Sequence, residues 1–269
     1  MKPVSLAAAA VSALLLLSPA AQAHKRWLLP THTVVSEAQW ISVDASVSND
    51  IFYPDRAYSL ERLQVTGPDG KAAETDHLLE MHRRSVFDVN LAATGSYRIA
   101  LPGHFFLAFF EQDGERKRLF GEDAEALLKK VPKGADKVRL LESVSRIETF
   151  ASVGAPDTAA LKPTGKGLEL VPVTHPNDLY SGETARFRFV VDGKPAAGLE
   201  VHLLPAGTRY RDAQQDWTVT SDDNGEVAIE WPHAGRFFLE AEASDQNVSH
   251  KQAERRRLEY LGTFEVLPL

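Results

Sequence analysis

At 269 residues, the chain has room for one large domain or two modest ones. Its 37 acidic against 30 basic residues leave no basic face of the kind nucleic acid requires, so no nucleic-acid partner is expected. With no cysteine there is no thiolate metal site, no thiol nucleophile and no disulfide, and the fold has to rest on its own core.

The chain opens with Lys2, an apolar run centred on Leu14-Leu15-Leu16-Leu17, and the small-residue triplet Ala21-Gln22-Ala23. That order of charge, short apolar stretch and A-x-A reads as a secretory signal peptide over 1–23, which predicts an exported, periplasmic product. Removing Lys2 with the signal leaves 29 basic against 37 acidic residues. Cleavage after Ala23 makes His24 the new terminus, where an α-amine and an imidazole can close one chelate ring on copper(II) or nickel(II). No later apolar stretch reaches the length of a transmembrane segment, and Phe105–Phe110 is only strand-sized.

From 24 to 153 the pattern predicts a β-rich N-terminal domain. Leu63 to Val65 leads into a Gly67-Pro68-Asp69-Gly70 turn, and Gly95-Ser96-Tyr97-Arg98-Ile99 begins a later strand. One short helix is expected at 121–131, with Glu122 and Asp123 in its first turn, Lys129 and Lys130 in its last, and Pro132 and Gly134 ending it. The stretch 154–166, holding Pro156, Pro163, Gly154 and Gly165 without apolar periodicity, reads as a linker.

The span 167–269 alternates more clearly. Arg186–Val191 precedes an Asp192-Gly193 hairpin turn; Leu199, Val201 and Leu203 share a face; Asp222–Gly225 is a second turn. Val227, Ile229 and Trp231 follow at spacing two, then Phe237, Leu239 and Ala241, and a final strand covers about 259–267. The prediction is a mainly β protein of two antiparallel β-sandwich domains, the C-terminal one immunoglobulin-like and able to fold alone. Trp40 and Trp231 are placed in the core.

Catalytic motifs are missing: there is no G-x-S-x-G elbow, no H-E-x-x-H, no P-loop and no dinucleotide glycine fingerprint, so an enzyme is not expected. The nine histidines carry more. His24, His32, His77, His82 and His104 precede the linker. His77 and His82, five residues apart with Met81 between them, are the candidates to join His24 on one ion. His175-Pro176-Asn177-Asp178 reads as a turn, His202 as the solvent side of a strand, and His233 and His250 as loop residues.

Several segments carry a resemblance. His24–Pro30, Val43-Asp44, Asn49–Tyr53, Arg84–Asp88, Arg146–Phe150, Gly167–Pro172 and Thr174–Tyr180 resemble a bacterial periplasmic family that carries a domain of unknown function and is commonly labelled a nickel or cobalt uptake component. The resemblance implies a protein that binds nickel, cobalt or copper through His24 and hands it to a membrane importer or outer-membrane receptor. The rival expectations are a module that binds an envelope protein or a glycan and, beyond it, a copper oxidase with a histidine brace.

Overall fold

The computed structural model describes residues 25–269, so the expected signal peptide, 1–23, and His24 lie outside the described residues. Within them the chain is mainly β. In order it forms β1 Lys25–Pro30, β2 Val34–Val35, β3 Gln39–Ser48, β4 Arg56–Ala57, β5 Gln64–Thr66, β6 Thr75–Glu80, β7 Ser85–Leu91, β8 Gly95–Gln112 and β9 Glu115–Gly121. After helix α1 (Ala124–Lys129) come β10 Asp136–Val153, β11 Leu168–Pro172, β12 Thr184–Val191, β13 Lys194–Pro195 and β14 Glu200–Pro205. The last are β15 Trp217–Thr220, β16 Glu226–Glu230, β17 Gly235–Asp245 and β18 Ala253–Val266.

These strands build three sheets. A five-stranded sheet has the order β1-β3-β7-β6, with β4 also on β3; a four-stranded sheet groups β11, β12, β13 and β16. Between them runs a nine-stranded central sheet ordered β15-β14-β17-β18-β10-β8-β5, with β2 on β10 and β9 on β8. Neighbours pair antiparallel except β10 with β18 and β10 with β2.

Alternation of side chains decides which layer each residue joins. Leu204, Phe238 and Leu261 of the central sheet pack with Trp27, Val43 and Phe87 of the five-stranded sheet. Their chain neighbours Leu203, Phe237, Leu239 and Tyr260 face the other way, onto Phe187, Phe189 and Ile229 of the small sheet. Apolar neighbours such as Phe237 and Phe238 are both buried because this part of the sheet is covered on both faces.

The predicted turns form as expected. Asp192 and Gly193 take φ of 49° and 78° in the β12–β13 hairpin. Gly225, at φ 75°, sits so close to the Phe189 carbonyl that a Cβ would come within 2.3 Å of it. The helix is shorter than 121–131; Asp123 caps it by accepting from the Ala126 amide at 2.6 Å, and Leu127 is buried. Trp231 is fully buried, but Trp40 is 45% exposed, because Ile41, Val43 and Ala45 are the residues of β3 that point inward.

Over 136–153, where the residue pattern predicts no element, β10 joins the two spans. It pairs with β8 from Asp136 to Val153 and in parallel with β18 from Leu140 to Thr149. One sheet therefore runs through both the 24–153 and the 167–269 spans. The stretch 154–166 between them is strapped down: Ala160 and Leu161 of a 3-10 turn are buried. The Glu169 carboxylate accepts from the amides of Thr164, Gly165 and Lys166 at 2.7, 2.7 and 3.2 Å and faces Arg146 at 3.7 Å.

Candidate functional site

Strand β1 is the first described segment, and it lies against β10 and β18 on one face of the central sheet. Arg26 reaches down from β1 to an ion pair with the buried Glu259 of β18. The polar residues around that contact follow from register: Glu242 stands opposite Glu259, Glu240 opposite Leu261, and His202 of β14 opposite Glu240. Directly opposed side chains on one face have Cβ atoms about 5 Å apart, so His202, Glu240, Glu242 and Glu259 form one polar row.

The members of the row are not equivalent. Arg257 pairs with Glu242 and lies 3.8 Å from Glu259, so both of those carboxylates have a cation. His202 Nε2 is 2.7 Å from Asp216 Oδ2, a bond that holds the Asp216 carboxyl below its ordinary range. With Nε2 committed to a carboxylate, the neutral ring of His202 presents Nδ1 as an acceptor, the arrangement that orients imidazole ligands. The Glu240 carboxylate has no hydrogen bond among the described residues. Burial raises its pKa, the nearby Glu259 raises it further, and the Lys25 ammonium opposes both. Lys25 also lowers Asp216. The first described residue thus stands over the His202–Asp216–Glu240 end of the sheet. Among the described residues, Glu240, Glu242 and Glu259 are the one group of three His, Asp or Glu side chains whose ligand atoms lie within 4.8 Å of one another.

The other histidines chosen from sequence lie elsewhere. His77 sits in β6 with a left-handed φ of 50°, at the register shift between Asp76 and Leu79. Its Nδ1 is 2.9 Å from Asp88 Oδ2. Asp88 is lowered first by the Ser42 hydroxyl at 2.5 Å and then by this ring. His82 is exposed in the β6–β7 turn beside Met81. That hairpin is the far edge of the five-stranded sheet, three strand spacings or about 14 Å from β1. Lys25 begins the strand at the opposite edge, so the fold does not bring this hairpin to the start of β1.

His202 lies on the expected face, opposite Val201 and Leu203; its side chain is 33% exposed there and also meets Asp216, with Glu240 opposite it in the register. The β14–β15 pairing brings Asp216 to His202 and the β14–β17 pairing brings Glu240, and no local pattern announces either. His104 is tied by Nε2 to the buried Glu142 at 2.8 Å. His175 looks at first like a base for Ser96, with Nε2 2.9 Å from the hydroxyl. Its Nδ1, however, accepts the Asn177 amide at 3.1 Å, so the ring proton is on Nε2 and is shared with the Asp157 carbonyl at 3.0 Å. A ring that donates toward Ser96 is not activating it, and Ser96 is fully buried. The pair is a structural tie between β8 and the segment after the linker.

A family model described as a domain of unknown function (DUF4198) matches residues 21–245. No curated protein matches the chain. Among solved structures it is similar to the D0-D1 domain of Intimin, at 11% identity over 88% of this chain and 96% of that one, with a TM-score of 0.23. It is also similar to the Escherichia coli adhesin FdeC, at 11% identity over 88% of this chain and 65% of that one, TM-score 0.22. The chicken CNTN1 FN1-FN3 domains share 9% identity over 88% and 98%, TM-score 0.21. Likenesses of this size carry no argument about what the chain does.

Proposed function

The chain belongs to the DUF4198 family, a domain of unknown function, so its role has to be argued from its own residues, and we propose that it is an exported, periplasmic protein that binds a divalent transition metal through His24. Nickel, cobalt or copper is the cargo, carried toward a membrane importer or outer-membrane receptor. The observation that supports this most is the place where β1 begins. Lys25 acts electrostatically on both Asp216 and Glu240, the two carboxylates beside the oriented ring of His202, and the proposal adds the amine and imidazole of His24 to that ring. Amine, two imidazoles and a carboxylate suit borderline divalent ions. His202 takes the place that residue spacing assigns to His77 or His82, because both of those sit on the opposite sheet edge.

Titrating mature protein beginning at His24 with copper(II) and nickel(II) tests this reading. His24→Ala and acetylation of the α-amine should each remove most binding, and His202→Ala should weaken it by about tenfold, while His77→Ala and His82→Ala leave it unchanged. Protons compete for the same nitrogens, so affinity should fall steeply between about pH 7 and pH 5. If His24→Ala binds both ions as tightly as the parent, the proposal is wrong.

A further inference from the structure

A second site, unrelated to the first, opens at the rim of the C-terminal sandwich. There β15, the edge of the central sheet, approaches β16, an edge of the small sheet, and a cavity of about 640 Å³ lies between them. That volume falls within the range of small-molecule sites. Trp217 and Val219 of β15, Ala228 and Glu230 of β16, and the loop residues Gln215 and His233 line it.

Two of its rings share one support. Trp217 meets Phe237 edge-on at 6.0 Å, and His233 lies tilted over the same Phe237 at 5.1 Å. Phe237 is itself fully buried against Trp231 at 5.0 Å. Both rings are therefore fixed before any ligand arrives, which lowers the entropy cost of binding. The loop before Trp217 is fixed as well. Arg211 donates to the carbonyls of Ala206, Pro205 and Gln214 at 2.5, 2.9 and 2.9 Å. Gln215 is held at φ 56°, a conformation that costs energy in a residue with a side chain.

The hydrogen-bonding groups around this cavity are unspent. His233 Nδ1 donates to the Ala234 carbonyl at 3.0 Å, which leaves Nε2 as an acceptor in the neutral ring. The Glu230 carboxylate, the Gln215 amide and the Trp217 indole N–H have no partner among the described residues. An indole face, a carboxylate, an amide and an imidazole beside apolar walls offer stacking together with both donors and acceptors for hydroxyls. No lysine or arginine lines the cavity, so an anionic ligand would meet Glu230 uncompensated. A quaternary ammonium would leave Gln215, His233 and the indole N–H unmatched.

We propose that this rim binds a short neutral glycan, with Trp217 as its stacking platform and Glu230, Gln215 and His233 as partners for its hydroxyls. The experiment follows the Trp217 indole N–H resonance of the intact mature protein, assigned through Trp217→Phe, during titration with maltose, cellobiose and N,N′-diacetylchitobiose. At least one should shift it saturably. Glu230→Gln and Gln215→Ala should each weaken that sugar by about tenfold, the loss expected for one hydrogen bond, without lowering the thermal midpoint. Chelator-treated protein should bind the sugar equally, which separates this site from the metal proposal. A resonance that none of the three sugars moves, sugar binding unchanged in Glu230→Gln, or saturation by choline instead would each overturn it.

Discussion

The two faces of the central sheet are built differently. On the face toward the small sheet, most of the aromatic core, Phe187, Phe189, Phe237 and Phe264, comes from strands that lie within one hundred residues of one another and are joined largely by tight turns, with Phe150 of β10 added 6.0 Å from Phe264. On the opposite face the partners are far apart in the chain. Arg26 pairs with Glu259 across 233 positions, and Thr33 with Glu265 across 232. Arg236 reaches back to the Pro30 carbonyl at 3.2 Å. The first face is assembled by local alternation and turns. The second fixes where the N-terminal strand lies against β10 and β18, and so how close the Lys25 charge comes to Asp216 and Glu240.

The largest effect should come from separating the faces. Expressed alone, 167–269 leaves the β10-side edge of β18 unpaired and exposes Leu204, Phe238 and Leu261. Its alternation and local turns predict that this segment folds by itself; the structure gives it a sheet edge and a face that belong to another span. It should show no cooperative thermal transition, whereas the full chain should. A sharp transition in the lone segment would make the first face self-sufficient.

A smaller loss should follow Arg26→Ala, which leaves Glu259 buried with Arg257 as its one remaining cation. Stability measured by urea unfolding should drop by about 3 kcal/mol, the cost of breaking a buried pair from one side. Arg26→Met combined with Glu259→Leu should recover most of it. Equal losses in single and double variants would mean that the pair contributes attraction and not merely mutual neutralisation.

The smallest expected effect lies at the tie between the spans. Burial holds the His175 pKa below its ordinary value, against the opposing pull of the Asp157 carbonyl and of the Asp178 and Asp157 charges. The unfolded chain therefore takes up this proton first as pH falls through about 6.5. Stability is complete above that pH and declines below it, until the folded pKa is passed. His175→Gln should flatten this part of a urea-midpoint profile between about pH 7 and pH 5. An unchanged slope would place the titration on another group.

Much of the fold was legible in sequence for a local reason. The Asp192-Gly193 and Asp222–Gly225 turns impose their own backbone geometry, and alternation in 199–203, 227–231 and 237–241 selects an inner face whatever the partner strand is. The candidate sites were legible only as residue types. His202 could be assigned a face but not the Asp216 and Glu240 that share it. Trp40 followed a strand pattern one residue out of phase with the buried set. Trp217 and His233 gave no sign of resting on one phenylalanine.

By itself, the sequence determined a mainly β chain, the tight turns, the capped helix and the inner faces of the C-terminal strands, because each depends on the conformational preferences of a few consecutive residues. The tertiary structure decided that one central sheet runs through both spans and that β1 lies across it with Arg26 on Glu259. It also put the His77–His82 hairpin on the sheet edge opposite β1 and gave the sandwich rim a cavity under Trp217. These outcomes depend on strand pairings between residues up to more than two hundred positions apart, and pairing energy resides in the register of two strands together, which neither strand encodes alone.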